Sequence, residues 1–147
     1  MKVREERMCL ALLDEVWPLL ELHEKELNVF GRELAPDVML YLKAGNTGSF
    51  KAYVMRDEDG TIAGYAAYWI QRHPHYEIKT ATQDVLFLEE KYRRGRNGIK
   101  LIRESEKKLK EFGVEVITQY TKTFLPLDTL FTSLKYKKIE HVYAKEI

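Results

Sequence analysis

The sequence predicts a single α/β domain over residues 1–147, a mixed sheet with helices on its faces. Three observations carry that expectation. The first third of the chain has helical apolar spacing. Two strand-like runs then flank an Asp-Gly pair. Finally, a strand, a glycine-punctuated turn, a helix and a further strand follow in order between residues 80 and 120.

The elements follow in chain order. Residues 2–7 read as a short, charged first strand. Leu10, Leu13, Val16, Trp17, Leu20 and Leu27 recur at helical spacing, with Pro18 either kinking that helix or opening its second half. A second helix starts after Pro36, with Asp37 in its first turn, and ends before Gly45. FKAYVMR and TIAGYAAYWIQR flank DEDG and read as a hairpin, while TATQDVLFL is a third, central strand. A helix then runs to about Phe112. It has Ile99, Ile102, Leu109 and Phe112 on one face and the pairs Glu104/Lys108 and Glu106/Lys110 on the other. Gly113 stops it. VEVITQY is a buried strand, LDTLFTSL a short helix, and YKKIEHVYAKEI a final alternating strand whose aromatic edge could pair across a homodimer.

Composition narrows the function classes. Apolar residues at 45% and charged residues at 32% describe a folded globule. A net charge of +1 supplies no global attraction to nucleic acid or an anionic membrane, so neither is an expected partner. Cys9, the one cysteine, excludes an internal disulfide and a cysteine metal cluster; between Met8 and Leu10 it reads as a small buried hydrophobe. MKVREERM has no apolar signal region, and no run reaches the roughly 18 apolar residues of a membrane span, so a cytoplasmic protein is expected. His73 and His75 in RHPHY lack further clustered ligands; no metal is expected there, and they read as a polar turn, as lining for an acceptor site or as a base. Trp17 and Trp69 read as core or rim aromatics.

The stretch EEKYRRGRNGIKLI, residues 89–102, carries the chemistry. A helix that begins near Asn97 leaves its first backbone N–H groups without internal partners and carries partial positive charge there. Gly95 and Gly98 let an anion approach the backbone, and Arg93, Arg94 and Arg96 add charged donors at the rim. The turn is neither GxxxxGK[ST] nor GxGxxG.

LFLEEKYRRGRNGIKLI also resembles the acyl-CoA-binding segment of the GNAT superfamily of N-acetyltransferases, whose signature is Arg/Gln-x-x-Gly-x-Gly/Ala between the fourth strand and the next helix. Without a gap, Arg93 takes the first position and Gly98 the last, with Arg96 where the middle glycine usually stands. A shifted register makes Arg94-Gly95 the Arg-Gly pair and puts Ile99 last. The resemblance extends along the chain through the hairpin, Gly64 in the third strand, and the ending LFTSLKYKKIEHVYAKEI. HPHY…QDVLFL…YRRG is similar to a compact subgroup found in phages and bacteria.

The resemblance implies a mostly antiparallel sheet with one splayed strand pair, and acetyl-CoA as acyl donor. It implies that the backbone of Leu86, Phe87 and Leu88 pairs with the pantetheine arm, and that Arg93, Arg94, Gly95, Arg96, Asn97, Gly98 and Ile99 surround the pyrophosphate. An N–H near Leu86 would face the thioester oxygen. A small-molecule or peptide amine would attack directly, helped by a general base. Asp84, beside the acyl segment, is the first candidate because burial strengthens a carboxylate as a base; Glu77 is the second. Phe131 stands where the family's proton-donating tyrosine usually lies, so Tyr120 is the candidate donor. The departures at Arg96 and Phe131 leave a second expectation, a protein that binds acyl-CoA without catalysis and acts as a sensor or interaction module.

Overall fold

The computed structural model describes residues 1–147. Its elements are β1 (Lys2–Glu6), α1 (Leu10–Leu27), α2 (Val38–Thr47), β2 (Phe50–Arg56), β3 (Ile62–Arg72), β4 (Lys79–Leu88), a 3₁₀ turn at Glu90–Tyr92, α3 (Asn97–Glu111), β5 (Val116–Thr118) and α4 (Asp128–Ser133). The sheet order is β1-β2-β3-β4-β5. The first four strands are antiparallel neighbours, and β5 joins β4 in parallel after the α3 crossover.

Alternation along the strands divides the core into two faces. On one face α1 places Leu12, Leu13 and Val16 against Val54, Ile62, Tyr65 and Phe87, and α2 packs Ala44 against Phe50, Ala52 and Ala67. On the other, Leu101 and Leu109 of α3 pack on Tyr53, Met55, Ala63, Ala66, Tyr68 and Ala81. No helix is long and apolar enough to cross a membrane.

Local chemistry explains the boundaries. α1 runs through Pro18 as one helix, although the proline leaves the Asp14 carbonyl without an intrahelical donor. Asp37 is the N-cap of α2, its carboxylate accepting the Leu40 N–H at 3.0 Å. That helix passes through Gly45 rather than ending there. A Cβ at Gly45 would lie 2.8 Å from Met8 Cβ, so its glycine serves close packing, and the stop comes at Gly48 with φ of 76°.

Two expectations are corrected. Cys9 is exposed: it holds the N-cap position of α1 in extended backbone, off the stripe that buries Leu12, Leu13 and Val16. The final strand does not form either. Residues 137–147 pair with no strand, and Tyr143 is 92% exposed, because alternation makes a strand only where a ladder partner exists. The polar contacts of that segment are surface ion pairs, Lys138–Asp128 and Arg32–Glu146.

Candidate active site

The site begins with one extra residue in β4. Ala67 of β3 faces Val85 and Tyr68 faces Gln83, so Asp84 has no partner and forms a bulge. At the same level β5 departs. It pairs with β4 only from Thr80 to Thr82. Beyond that point the Gln83 side chain takes over, its Oε1 accepting the Tyr120 backbone N–H at 2.9 Å.

The parted strands expose backbone. Glu89 donates its N–H to the Ala63 carbonyl, so the antiparallel alternation turns the backbone of Phe87 toward β3 and that of Leu86 and Leu88 toward the gap. The Leu88 carbonyl is occupied by Arg93 Nε at 2.7 Å. Leu86 keeps its N–H and C=O for a partner in the gap.

Asp84 points to the α1–α2 face, between aromatic side chains. Tyr41 donates its hydroxyl to Oδ2 at 3.1 Å, and Trp69 Nε1 donates to Oδ1 at 2.9 Å. Burial and the neighbouring Asp84 charge raise the Tyr41 pKa above the usual phenol range, which keeps it a donor. Each carboxylate oxygen retains a further lone-pair direction. Trp69 is therefore more than the packing aromatic expected of it.

Glu77 is not brought to the site. It is exposed in the β3–β4 turn, and six residues, five of them in β4, separate it from Asp84, about 20 Å at the usual rise. His73 and His75 share that turn, where His73 Nδ1 accepts the His75 N–H at 3.1 Å. Tyr120 does lie at the parting of the strands, half exposed. Phe131 is buried against Tyr136, whose hydroxyl donates to Glu106 Oε1 at 2.7 Å and accepts from Gln119.

The 93–98 turn divides its labour. Arg93 is turned back into the fold: Nη2 donates to both Glu26 oxygens at 2.8 Å, and the guanidinium lies over the Phe87 ring. That arginine clamps α1 to the end of β4 instead of standing free at the rim. Asn97 Nδ2 donates to the Tyr92 carbonyl at 3.0 Å, closing the loop. Arg94 and Arg96 are exposed and make no ion pair. Gly95 has φ of 72°, and a Cβ at Gly95 or Gly98 would meet nothing within 4 Å. The first turn of α3, including Gly98 and Ile99, therefore opens onto free space flanked by two unpaired guanidinium groups, which fits a phosphorylated ligand.

His23 escaped the sequence reading. It stands on the apolar stripe of α1, stacked on Phe87 at 4.8 Å, with Nδ1 3.1 Å from the Tyr65 hydroxyl. Its signal was a lone polar residue continuing the stripe of Val16, Leu19 and Leu20. Burial lowers its pKa from 6.5 to about 4, with Lys122 and Arg93 adding to the shift and Glu26 opposing it. The unfolded chain then binds a proton that the folded chain refuses. The stability of the neutral form is complete above pH 6.5 and lost as pH falls toward 4. Between pH 7 and 5 the protein is expected to lose about 2 kcal/mol more stability than a His23→Gln variant. Urea unfolding at the two pH values checks this, and equal losses would refute it.

A sheet parted at a bulge beside an exposed, arginine-flanked helix start is the arrangement of an acyltransferase, the class that the family match gives. Residues 14–126 match the acetyltransferase (GNAT) family, and the chain belongs to that family. A comparison with curated protein sequences finds no match. Among solved structures, the fold is similar to a ribosomal-protein-alanine N-acetyltransferase from Brucella melitensis biovar Abortus, at TM-score 0.75 and 14% identity over 100% of both chains. An aminoglycoside acetyltransferase from an uncultured soil metagenomic sample, solved with sisomicin, is similar at TM-score 0.72 and 19% identity over 99% of this chain and 97% of that one. A Trypanosoma brucei acetyltransferase is similar at TM-score 0.73 and 13% identity over 99% of each.

Proposed function

We propose that the protein transfers an acetyl group from acetyl-CoA to a primary amine by direct attack, in a cytoplasmic setting. The observation that carries this reading is the unpaired backbone of Leu86 at the parting of β4 and β5, on the strand that leads into the open first turn of α3. Acetyl-CoA supplies an activated thioester. Leu86 N–H is the donor for the charge that develops on the acyl oxygen. Arg94, Arg96 and the backbone from Gly95 to Ile99 hold the phosphates, while Arg93 and Asn97 brace the turn from behind. Asp84, fixed by Tyr41 and Trp69, orients the amine. The fold neighbours named above act on a ribosomal-protein alanine and on aminoglycosides, which supports a peptide or small-molecule amine as acceptor.

A second reading, an acyl-CoA binder without turnover, is favoured by the burial of Phe131 where a donor tyrosine is usual in the family. Thermal unfolding with acetyl-CoA, CoA and AMP, followed by thiol release with a panel of amines, separates the two. At a hundredfold over Kd, the CoA species are expected to add about 2.7 kcal/mol, and AMP far less. Thiol release that depends on an amine supports transfer. A shift without release supports the binder, and no shift at saturating CoA removes both.

A further inference from the structure

We propose that His23 carries the proton in this transfer: Nε2 takes it from the amine nitrogen as the C–N bond forms and returns it to the sulfur as the thioester C–S bond breaks. The exchange balances without another reactant, since the amine loses one proton and the thiol gains it. The inference rests on the acetyltransferase reading above.

Geometry carries it. The imidazole lies flat against Phe87, the neighbour of Leu86, with an interplanar angle of 21°. Its Nδ1 meets the Tyr65 hydroxyl at 3.1 Å, and that hydroxyl also reaches the Leu19 carbonyl at 3.5 Å. A phenol has a single hydrogen, and a carbonyl can only accept. Given to Leu19, the Tyr65 hydrogen leaves the phenol oxygen to accept from Nδ1–H. The imidazole then presents an Nε2 lone pair. Tyr65 holds its proton because burial, and next the Asp84 charge, raise its pKa well above the usual phenol value. Nε2 has no protein partner and is not among the sealed, unsatisfied groups of the fold.

The surroundings suit a transient carrier. The charged groups facing the ring are Glu26 on α1, Arg93 in the turn and Lys122 in the β5–α4 loop, and Glu26 and Arg93 neutralise one another. Burial keeps the ring neutral across the working range, so the Nε2 lone pair is available at pH 7. The position also answers the question raised by Phe131, which cannot donate. Asp84, held by Tyr41 and Trp69, positions the amine, and the imidazole carries the proton.

The test uses the full chain, with His23→Gln and Tyr65→Phe variants. In the ligand-free protein, ¹⁵N NMR of His23 at pH 7 is expected to show the neutral Nδ1–H tautomer, and Tyr65→Phe is expected to disturb it. With an amine that the wild type acetylates, His23→Gln is expected to lower kcat about 100-fold, while the thermal shift with CoA stays the same. Tyr65→Phe, as a positioning change, is expected to lower kcat less and to alter the pH profile. Three results overturn the proposal: a protonated or Nε2–H imidazole at pH 7, a folded His23→Gln variant with wild-type kcat, or a folded wild type that binds CoA and acetylates no amine. The third result alone also removes the acetyltransferase reading, so the two failures are distinguishable.

Discussion

Gly64→Ala is expected to lower the thermal midpoint by about 10 °C, at about 3 kcal/mol of overpacking and roughly 3 °C per kcal/mol for a chain of this size. A Cβ at Gly64 would overlap the Phe87 carbonyl oxygen and lie 2.9 Å from Leu88 Cα. Both obstacles are backbone, so no rotamer change relieves them. Gly64 faces Leu88 across the ladder, at the end of β4 that carries Leu86 and receives Arg93. The substitution therefore strikes the strand on which the site is built, and CoA-induced stabilisation is expected to fall with the midpoint. Differential scanning calorimetry decides the matter; a midpoint within about 2 °C of wild type would mean the strands separate freely there.

Asp84→Asn is expected to lower kcat/KM for the amine about 100-fold, or about 3 kcal/mol of transition-state stabilisation, with KM for acetyl-CoA little changed. Asp84 presents two acceptors to two donors, Tyr41 and Trp69. An amide offers one acceptor and one NH₂ group, so one of those donors faces a donor. The side chain turns away, and the amine loses both charge and alignment. Steady-state kinetics with each substrate varied separately distinguish this from a general loss of folding, which would lower kcat and leave both KM values unchanged. Equal kcat/KM for the two proteins would show that the acceptor binds elsewhere.

The elements legible in the sequence are those whose signals are local. The Asp57–Gly60 hairpin, the stop at Gly113 and the α3 stripe through Ile102 and Leu109 each follow from neighbouring residues, although Leu101 is buried on that stripe and the expected Phe112 is exposed. The final strand failed because its evidence was alternation alone, while pairing depends on a partner elsewhere in the chain. Gly45 misled for a related reason: its close neighbour is Met8, far away in sequence.

The site divides in the same way. The turn that opens α3 could be read because its glycines, arginines and helix start are contiguous. Asp84 was visible as a carboxylate in an apolar strand, but its bulge required the register against β3. Tyr41, Trp69 and Asp84 come from three elements, and so do His23, Tyr65 and Phe87. No spacing rule joins such groups. Arg93 shows the opposite hazard. A contiguous motif suggested an anion donor, while the fold commits its side chain to Glu26 and Leu88.

Asp84 is also a single codon. Its neighbours Gln83 and Val85 already occupy opposite faces of the sheet, as consecutive strand residues should, so the residue adds to a pattern that is complete without it. Losing that codon in frame would leave every apolar side chain of β4 on its present face and let the strand run on beside β5. Register and core, which most deletions disturb, would be spared. Such a deletion would remove the Asp84 carboxylate and keep the alternation that packs the strand.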